Sequence, residues 1–291
     1  MYKQIKTILL TGGTGYLGIR LLERLLNANY KVCIIKRTNS SLLQIANLVQ
    51  NYTLYDNDPE SIHRAFMENK IDLIIHTATL YGRKGESTMQ IKDANLDFPL
   101  LILNNAIEYN VKYFINTGTS LPIFTNQYAL FKNQFSECLE FMSSKINTIN
   151  ILLEHFYGPG DDESKFITGM IRKLKLNTPT IELTTGIQIR DFIHIDDVLD
   201  AYFVLIENLH KFKGYNILPL GSGVGYTIRE IVELMKDFCN STSELKFGAV
   251  PMRENELMKS DADISILKDL GWKPKIDIEF GLKLTIDSIK I

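Results

Sequence analysis

Thr11-Gly12-Gly13-Thr14-Gly15-Tyr16-Leu17-Gly18 is the stretch that decides how this chain is read. An apolar run, Thr7-Ile8-Leu9-Leu10, precedes it, and an amphipathic run, Ile19 to Leu26, follows. That order spells strand, tight glycine turn, helix. Gly12 and Gly15 supply backbone angles closed to other residues and let the main chain approach a ligand closely. Gly18 lets the helix pack against the strand. A helix that starts in this way turns N–H donors and a positive dipole end toward an anion such as a pyrophosphate. Gly12, Gly15, Tyr16, Leu17 and Gly18 are therefore candidate contacts for a dinucleotide. The glycine spacing is three and three, not the two and three of the common dehydrogenase fingerprint. Glycine turns also occur in α/β chains that bind nothing there; the place after a first strand favours binding.

Composition narrows the class. The 291 residues suit one large domain or a domain with a smaller lobe, and a net charge of −2 offers no basic excess for nucleic acid. No apolar run is long enough to span a bilayer, and the chain enters a strand too early for a signal peptide. Cys33, Cys138 and Cys239 are far apart and form no C-x-x-C pair. They read as thiols of a reducing compartment, with no disulfide frame and no metal site. The expectation is a cytoplasmic protein without nucleic-acid or membrane partners.

Strands and helices alternate along the chain. Val32-Cys33-Ile34-Ile35, Asp72 to His76, Tyr113 to Asn116 and Asn147 to Leu153 read as strands. Ser61 to Glu68, Asp93 to Tyr109 and Gln127 to Ser143 read as helices between them. Apolar strands alternating with helices predict a doubly wound parallel sheet of Rossmann type. Beyond Gly158-Pro159-Gly160 the pattern changes to a smaller α/β lobe, with Arg190 to Asn208 expected to return to the main sheet. The expected division is 1–157 plus about 188–210 for dinucleotide binding, and about 158–187 plus 211–291 for the substrate.

The chemistry concentrates near Tyr128 and Lys132, which stand four apart in Gln127-Tyr128-Ala129-Leu130-Phe131-Lys132. On a helix they share a face. A neighbouring ammonium stabilises phenolate and fits a tyrosine for acid–base work. Alone, Y-x-x-x-K describes many solvated helix faces. Here it follows a strand and the hydroxyl-rich turn Thr117-Gly118-Thr119-Ser120, whose hydroxyls could orient a carbonyl.

These motifs together resemble the extended short-chain dehydrogenase/reductases, the superfamily of sugar-nucleotide epimerases, dehydratases and reductases. The resemblance runs nearly end to end. It adds Asp56 at an adenine-contacting position, His76-Thr77-Ala78-Thr79 after the fourth strand, with Thr77 and Ala78 as cofactor contacts, and Asn95 in the next helix. It also covers Phe156-Tyr157-Gly158-Pro159-Gly160, the signature Arg190-Asp191-Phe192-Ile193-His194-Ile195-Asp196-Asp197, and Pro251-Met252-Arg253, Ala262-Asp263 and Leu270-Gly271-Trp272-Lys273-Pro274. It implies a catalytic triad of Thr119, Tyr128 and Lys132, with Tyr128 and Lys132 also touching the cofactor. It further implies substrate contacts from Ser120, His155, Arg190 and Arg253, the arginines on a diphosphate. His155 stands where many relatives carry an asparagine. A homodimer through the helices Asp93 to Tyr109 and Gln127 to Ser143 is implied as well.

Three departures refine the expectation. Lys36-Arg37 ends the second strand where NAD-dependent members usually carry an acidic residue; the two cations favour NADP(H), with NAD(H) as the alternative. Thr119 is followed by Ser120-Leu121-Pro122, without the acid pair of dehydratases. The connection from Thr119 to Tyr128 is short, as in the 4-ketoreductase branch that includes CDP-abequose and CDP-paratose synthases. The run Glu154 to Phe166 resembles the abequose enzyme. The expected activity is NADPH-dependent reduction of the C4 ketone of a CDP- or dTDP-linked deoxyhexose. The alternatives are an NAD-dependent sugar-nucleotide 4-epimerase and, in another class, a non-catalytic nucleotide sensor.

Overall fold

The computed structural model describes residues 5–46, 48, 51–254 and 256–291. Contacts divide the chain into two units, Met1–Leu152 with Leu205–Leu218, and Leu153–Val204 with Pro219–Ile291. The chain begins with β1 (Thr7–Thr11), α1 (Tyr16–Asn27), β2 (Lys31–Lys36), β3 (Tyr52–Asp56), α2 (Pro59–Glu68), β4 (Leu73–His76) and α3 (Thr88–Lys92). A π-helical turn, Asp93–Asp97, joins α3 to α4 (Phe98–Glu108), and β5 (Tyr113–Thr117), α5 (Gln127–Phe141) and β6 (Asn147–Leu153) follow. Next come β7 (His155–Tyr157), α6 (Phe166–Lys175), β8 (Thr180–Leu183), β9 (Ile189–His194) and α7 (Ile195–Asn208). β10 (Tyr215–Leu220), β11 (Gly225–Thr227), α8 (Ile228–Phe238), β12 (Glu244–Phe247), α9 (Ser265–Asp269) and α10 (Ile278–Ser288) complete the chain.

Burial explains why these segments form strands and helices. Ile8, Leu9 and Leu10 of β1 and Leu73, Ile74 and Ile75 of β4 are fully buried, as strands covered on both faces require. Helix α1 turns Leu17, Leu21, Leu22, Leu25 and Leu26 inward at helical spacing. Helix α2 starts where Asp58 accepts from the Ser61 amide and Pro59 takes the first turn. Asn126 caps α5 in the same manner, by accepting from Ala129.

The sheet of the first unit has the order β3-β2-β1-β4-β5-β6-β10. β1 pairs in parallel with β2 and β4, so Leu9 faces Cys33 on one side and Ile74 on the other. The strand order reverses between β1 and β4, where Thr11 lies beside His76. A crevice at the carboxyl ends of such strands is where open α/β sheets place ligands. The Rossmann class expected from the alternation is therefore observed. β3 is an addition: the sequence suggested only Asp56 there, because Tyr52 to Asp56 buries a single side chain, Tyr55.

The second unit has its own core, including Tyr157, Ile171, Phe192, Ile231, Met235 and Leu282. Its sheets are β11-β9-β7 and β12-β8. The stretch from Arg190 does not return to the main sheet as expected. β9 pairs with β7 and β11, and β10 is the strand that joins the large sheet. Among the described residues, no helix is long and apolar enough to cross a membrane.

Candidate active site

The glycine turn sits at the end of β1. Gly12 has φ +73°, and a Cβ there would lie 2.6 Å from the Ala78 amide nitrogen. A Cβ on Gly18 would come within 2.0 Å of the Gly12 carbonyl oxygen. Both glycines are thus demanded by the protein's own packing. Gly15 differs: its φ of −91° is open to any residue, and a Cβ would meet only the Gly12 oxygen, at 3.4 Å. It caps α1 without a side-chain hydrogen bond. The space a Cβ would fill at this helix start fits a pyrophosphate approached by backbone N–H groups, so Gly15, Tyr16, Leu17 and Gly18 would hold that part of a dinucleotide. Across the turn, Thr77 donates to the Thr11 carbonyl at 2.8 Å, which fixes Thr77 and Ala78 beside Gly12.

At the ends of β2 and β3, Lys36 donates to Asp56 at 2.5 Å. The two were expected to act on different parts of a cofactor, yet they neutralise each other. Lys36 sits where its stem packs and its charge meets a carboxylate, so it is not the exposed cation expected for a 2′-phosphate. Arg37 is exposed and keeps that role available.

Asn95 is tied into the segment after β4. Its oxygen accepts from Thr79 Oγ1 at 2.9 Å and from the Leu80 amide at 3.3 Å, and its nitrogen donates to Leu80 and Ile91 carbonyls at 2.8 and 2.9 Å. An amide has two donors and two acceptor sites, and Asn95 uses them to clamp this segment. It lies in the π-helical turn, a geometry that recurs near functional sites.

Thr119, Tyr128 and Lys132 come together in the first unit, all buried. The Tyr128 hydroxyl shares hydrogen bonds with Thr119 and Thr79. Burial pushes the Tyr128 phenol upward, and Thr119, Thr79 and the positive charge of Arg83 oppose that rise. Thr119 Oγ1 also accepts from the Leu121 amide at 3.2 Å, which sets its rotamer. Lys132 donates to the Thr117 carbonyl at 2.9 Å and reaches the Ala78 carbonyl at 3.5 Å. Burial alone lowers its ammonium to about 7. The lysine is turned to these main-chain carbonyls, one helical turn along α5 from Tyr128. Ser120 is half-buried at the start of the turn.

His76 lies behind the site. It is fully buried, its Nδ1 is 2.7 Å from Thr11 Oγ1, and burial together with Lys132 holds it neutral. Asn116 donates to Asn150 at 2.7 Å, and Asn150 donates to Ser136 at 2.7 Å. This chain braces the end of β5, because a Cβ on Gly118 would strike Asn150 Oδ1 at 2.6 Å.

Three of the four expected substrate contacts belong to the second unit. Arg190 is buried and donates to Glu256 and to the Ile189 carbonyl. Arg253 is exposed, and its charge acts on Arg190. Glu154, buried, accepts from Ser260 at 2.6 Å, and its other oxygen is 3.5 Å from His155 Nδ1. Much of the Arg190-to-Asp197 signature proves to be structural. Asp191 accepts from the Ser222, Gly223 and Ala262 amides. Asp197 accepts from the Lys275 and Ile276 amides, and its carbonyl takes the Trp272 indole N–H.

Thr79, Tyr81 and Arg83 are the site residues that sequence reading did not single out. Their signal was the run Thr79-Leu80-Tyr81-Gly82-Arg83 directly after a buried strand, where α/β loops gather function.

With this geometry in place, the comparisons agree on the class. The model of the NAD dependent epimerase/dehydratase family matches residues 8–218, and the chain belongs to that family. It is an NAD(P)-dependent oxidoreductase of nucleotide-sugar metabolism. CDP-abequose synthase of Salmonella typhimurium is 34% identical over 290 aligned positions, covering 95% of this chain and 96% of the relative. UDP-glucose 4-epimerase of Caenorhabditis elegans is 26% identical over 330 positions, with 94% of each chain covered. Among solved structures, UDP-glucose 4-epimerase of Thermus thermophilus in complex with NAD superposes with a TM-score of 0.82 at 21% identity, covering 97% of this chain and 98% of that one.

Proposed function

We propose that this protein reduces the C4 ketone of a nucleotide-linked 4-keto-6-deoxy or 4-keto-3,6-dideoxy hexose. The observation that carries the reading is the 34% identity with a CDP-abequose synthase along almost the whole of both chains. The epimerase alignment is longer than this chain itself, so that relative carries segments with no counterpart here. The short Ser120–Asn126 connection before α5 agrees with that difference.

When bound, the nicotinamide supplies the hydride. Thr119 and Tyr128 hydrogen-bond the ketone oxygen, and Tyr128 gives its proton to that oxygen as negative charge develops there. Donors aimed at charge that exists mainly in the transition state accelerate the step and do not merely bind. Lys132, fixed on the Thr117 and Ala78 carbonyls, keeps donors for a ribose hydroxyl. Arg190 and Arg253 serve the diphosphate, Arg190 exchanging Glu256 for phosphate oxygens, and His155 and Ser120 serve the sugar.

The second reading is a sugar-nucleotide 4-epimerase. The named relatives and solved structures that are epimerases favour it, and so does NAD in the Thermus complex. Together with the Lys36–Asp56 pair, that complex also turns the cofactor proposal from NADP(H) toward NAD(H). A homodimer through α4 and α5 belongs to either reading, supported by the exposed Met89 and Phe141 near that face; sedimentation measures it.

The test follows NADH and NADPH oxidation with CDP- and dTDP-linked 4-keto sugars, comparing the wild type with Tyr128→Phe. Turnover lost in the variant supports the reductase. Interconversion of UDP-glucose and UDP-galactose without added reductant, with NAD released on denaturation, replaces it with the epimerase.

A further inference from the structure

The link between β6 and β7 carries two polar atoms without a task in the proposed chemistry. Glu154 is buried, and one of its carboxylate oxygens accepts from the Ser260 hydroxyl at 2.6 Å. The other, Oε2, is sealed from solvent and accepts from no donor among the described residues. His155 Nδ1 is sealed and unpartnered in the same way, and the two atoms face each other at 3.5 Å. Arg190, the cation of this neighbourhood, is engaged elsewhere: it donates to Glu256 and to the Ile189 carbonyl.

A carboxylate only accepts, and a neutral imidazole has one donor and one acceptor nitrogen. A buried carboxylate oxygen left without a donor is costly. Closing the gap by about 0.5 Å makes an ordinary N–H···O bond, provided that the proton sits on Nδ1. The bond made by one ring nitrogen decides the state of the other, so Nε2 is then a bare acceptor. The His155 side chain is 39% exposed while its Nδ1 is sealed, which leaves the side of Nε2 accessible.

We propose that Glu154 is a positioning residue that fixes His155 in the Nδ1–H tautomer, so that Nε2 accepts a hydrogen bond from the C2 hydroxyl of the sugar. This deepens the reading that His155 serves the sugar and rests on it. C2 carries the one hydroxyl shared by 4-keto-6-deoxy and 4-keto-3,6-dideoxy hexoses. It also adjoins C1, which bears the diphosphate. The protein sets out its groups in the same order. His155 pairs in register with Phe192, their rings 5.7 Å apart, and Arg190 stands two residues before Phe192 on the same face of β9. A bare nitrogen beside that guanidinium takes a hydroxyl donor and turns away anionic oxygen.

The experiment reads the tautomer by nitrogen-15 NMR of imidazole-labelled histidine in the intact protein, above the pH at which the ring titrates. His155→Gln assigns the resonances among the 5 histidines. The wild type is expected to show Nδ1 protonated and Nε2 bare. Glu154→Gln keeps the shape and the Ser260 bond but turns an N–H toward Nδ1, so it is expected to move the proton to Nε2. Calorimetry then compares CDP-glucose and dTDP-glucose with their 2-deoxy-2-fluoro analogues, in which fluorine cannot donate. The fluorine is expected to weaken binding about fivefold in the wild type and less than about twofold in Glu154→Gln. A wild-type ring protonated on Nε2 overturns the proposal. So does an Nδ1 proton that stays in Glu154→Gln, because another group would then hold it. A fluorine penalty equal in the two proteins, or no binding of either glucose nucleotide, overturns the C2 contact. Absence of NADH or NADPH oxidation with every 4-keto sugar, with the tautomer and the fluorine penalty intact, removes the reductase reading alone.

Discussion

Gly15 and Gly18 look alike in sequence, and the structure assigns them opposite reasons for being glycine. In Gly18→Ala the new methyl would begin 2.0 Å from the Gly12 carbonyl oxygen, and real Cβ atoms essentially never come under 3.0 Å. Helix and strand must part by about 1 Å, an overpacking strain of roughly 1–3 kcal/mol. Alanine's better helix propensity returns at most about 1 kcal/mol. For a chain of this length each kcal/mol of net loss lowers the thermal midpoint by about 2–4 °C. In Gly15→Ala the methyl meets one atom at 3.4 Å on backbone angles that alanine adopts freely. Alanine is a poorer N-cap than glycine by about 0.5 kcal/mol. The lost freedom of the unfolded chain offsets this by about 0.4–1 kcal/mol. The midpoint of the ligand-free protein therefore stays within about 1 °C. The pyrophosphate would meet that methyl, and a tenfold loss of affinity removes about 1.4 kcal/mol of ligand-dependent stabilisation at saturating NAD. Calorimetry with and without NAD reads both quantities. If Gly15→Ala lowers the ligand-free midpoint as far as Gly18→Ala, or keeps the full NAD-induced shift, the division between packing glycine and ligand glycine is refuted.

Lys132 carries a second prediction. Its ammonium is lowered to about 7 against 10.5 in the ordinary lysine, so the unfolded chain binds the additional proton between those values and stability rises with pH across that window. Below pH 7 the buried charge costs about 5 kcal/mol, and Lys132→Met is expected to melt above the wild type there; the gap closes from pH 7 toward 10.5, and a pH-independent gap in scanning calorimetry contradicts the burial argument. Asn95→Ala strips partners from the Thr79 hydroxyl and the Leu80 amide and carbonyl, and should destabilise by about 1–3 kcal/mol; a denaturant midpoint equal to the wild type would show that water replaces the amide. Arg37→Ala is expected to weaken NADPH binding and leave NADH binding unchanged in titration calorimetry, while Lys36→Met weakens NADPH by exposing the Asp56 carboxylate to the 2′-phosphate. Equal loss for both cofactors in Arg37→Ala would place Arg37 away from the ribose.

What was legible in the sequence is what period and local chemistry encode. Ile8-Leu9-Leu10 and Leu73-Ile74-Ile75 read as strands covered on both faces, and the sequence already places the glycine turn between a strand and an amphipathic helix. Tyr128 and Lys132 are one helical turn apart, so their common face needed only the helix to exist. What escaped was set by partners distant in the chain. Lys36 looks like a free cation until Asp56, twenty residues on, meets it. Asn95 gives no sign of its clamp until Thr79 and Leu80 engage its amide. β3 has one buried side chain and no alternation strong enough to declare it. β9 and β10 go to different sheets through hydrogen-bond pairing with strands distant in the chain.

The same distinction bears on the acid–base pair. Spacing puts Lys132 and Tyr128 on one face of α5, and their hydrogen-bond partners decide where each side chain points. Lys132 points from α5 into the carbonyls at the ends of β4 and β5, where desolvation lowers its own proton affinity. Tyr128 points to the turns after β4 and β5, where the Thr79 and Thr119 hydroxyls and the Tyr81 ring meet it. Two residues on one helical face thus meet different surroundings, and in the proposed hydride transfer the lysine would hold a ribose while the tyrosine moves a proton. Thr79 and Tyr81, which meet Tyr128, come from a loop whose sequence carries no periodic signal, because the positive-φ glycines Gly82 and Gly85 turn the chain there.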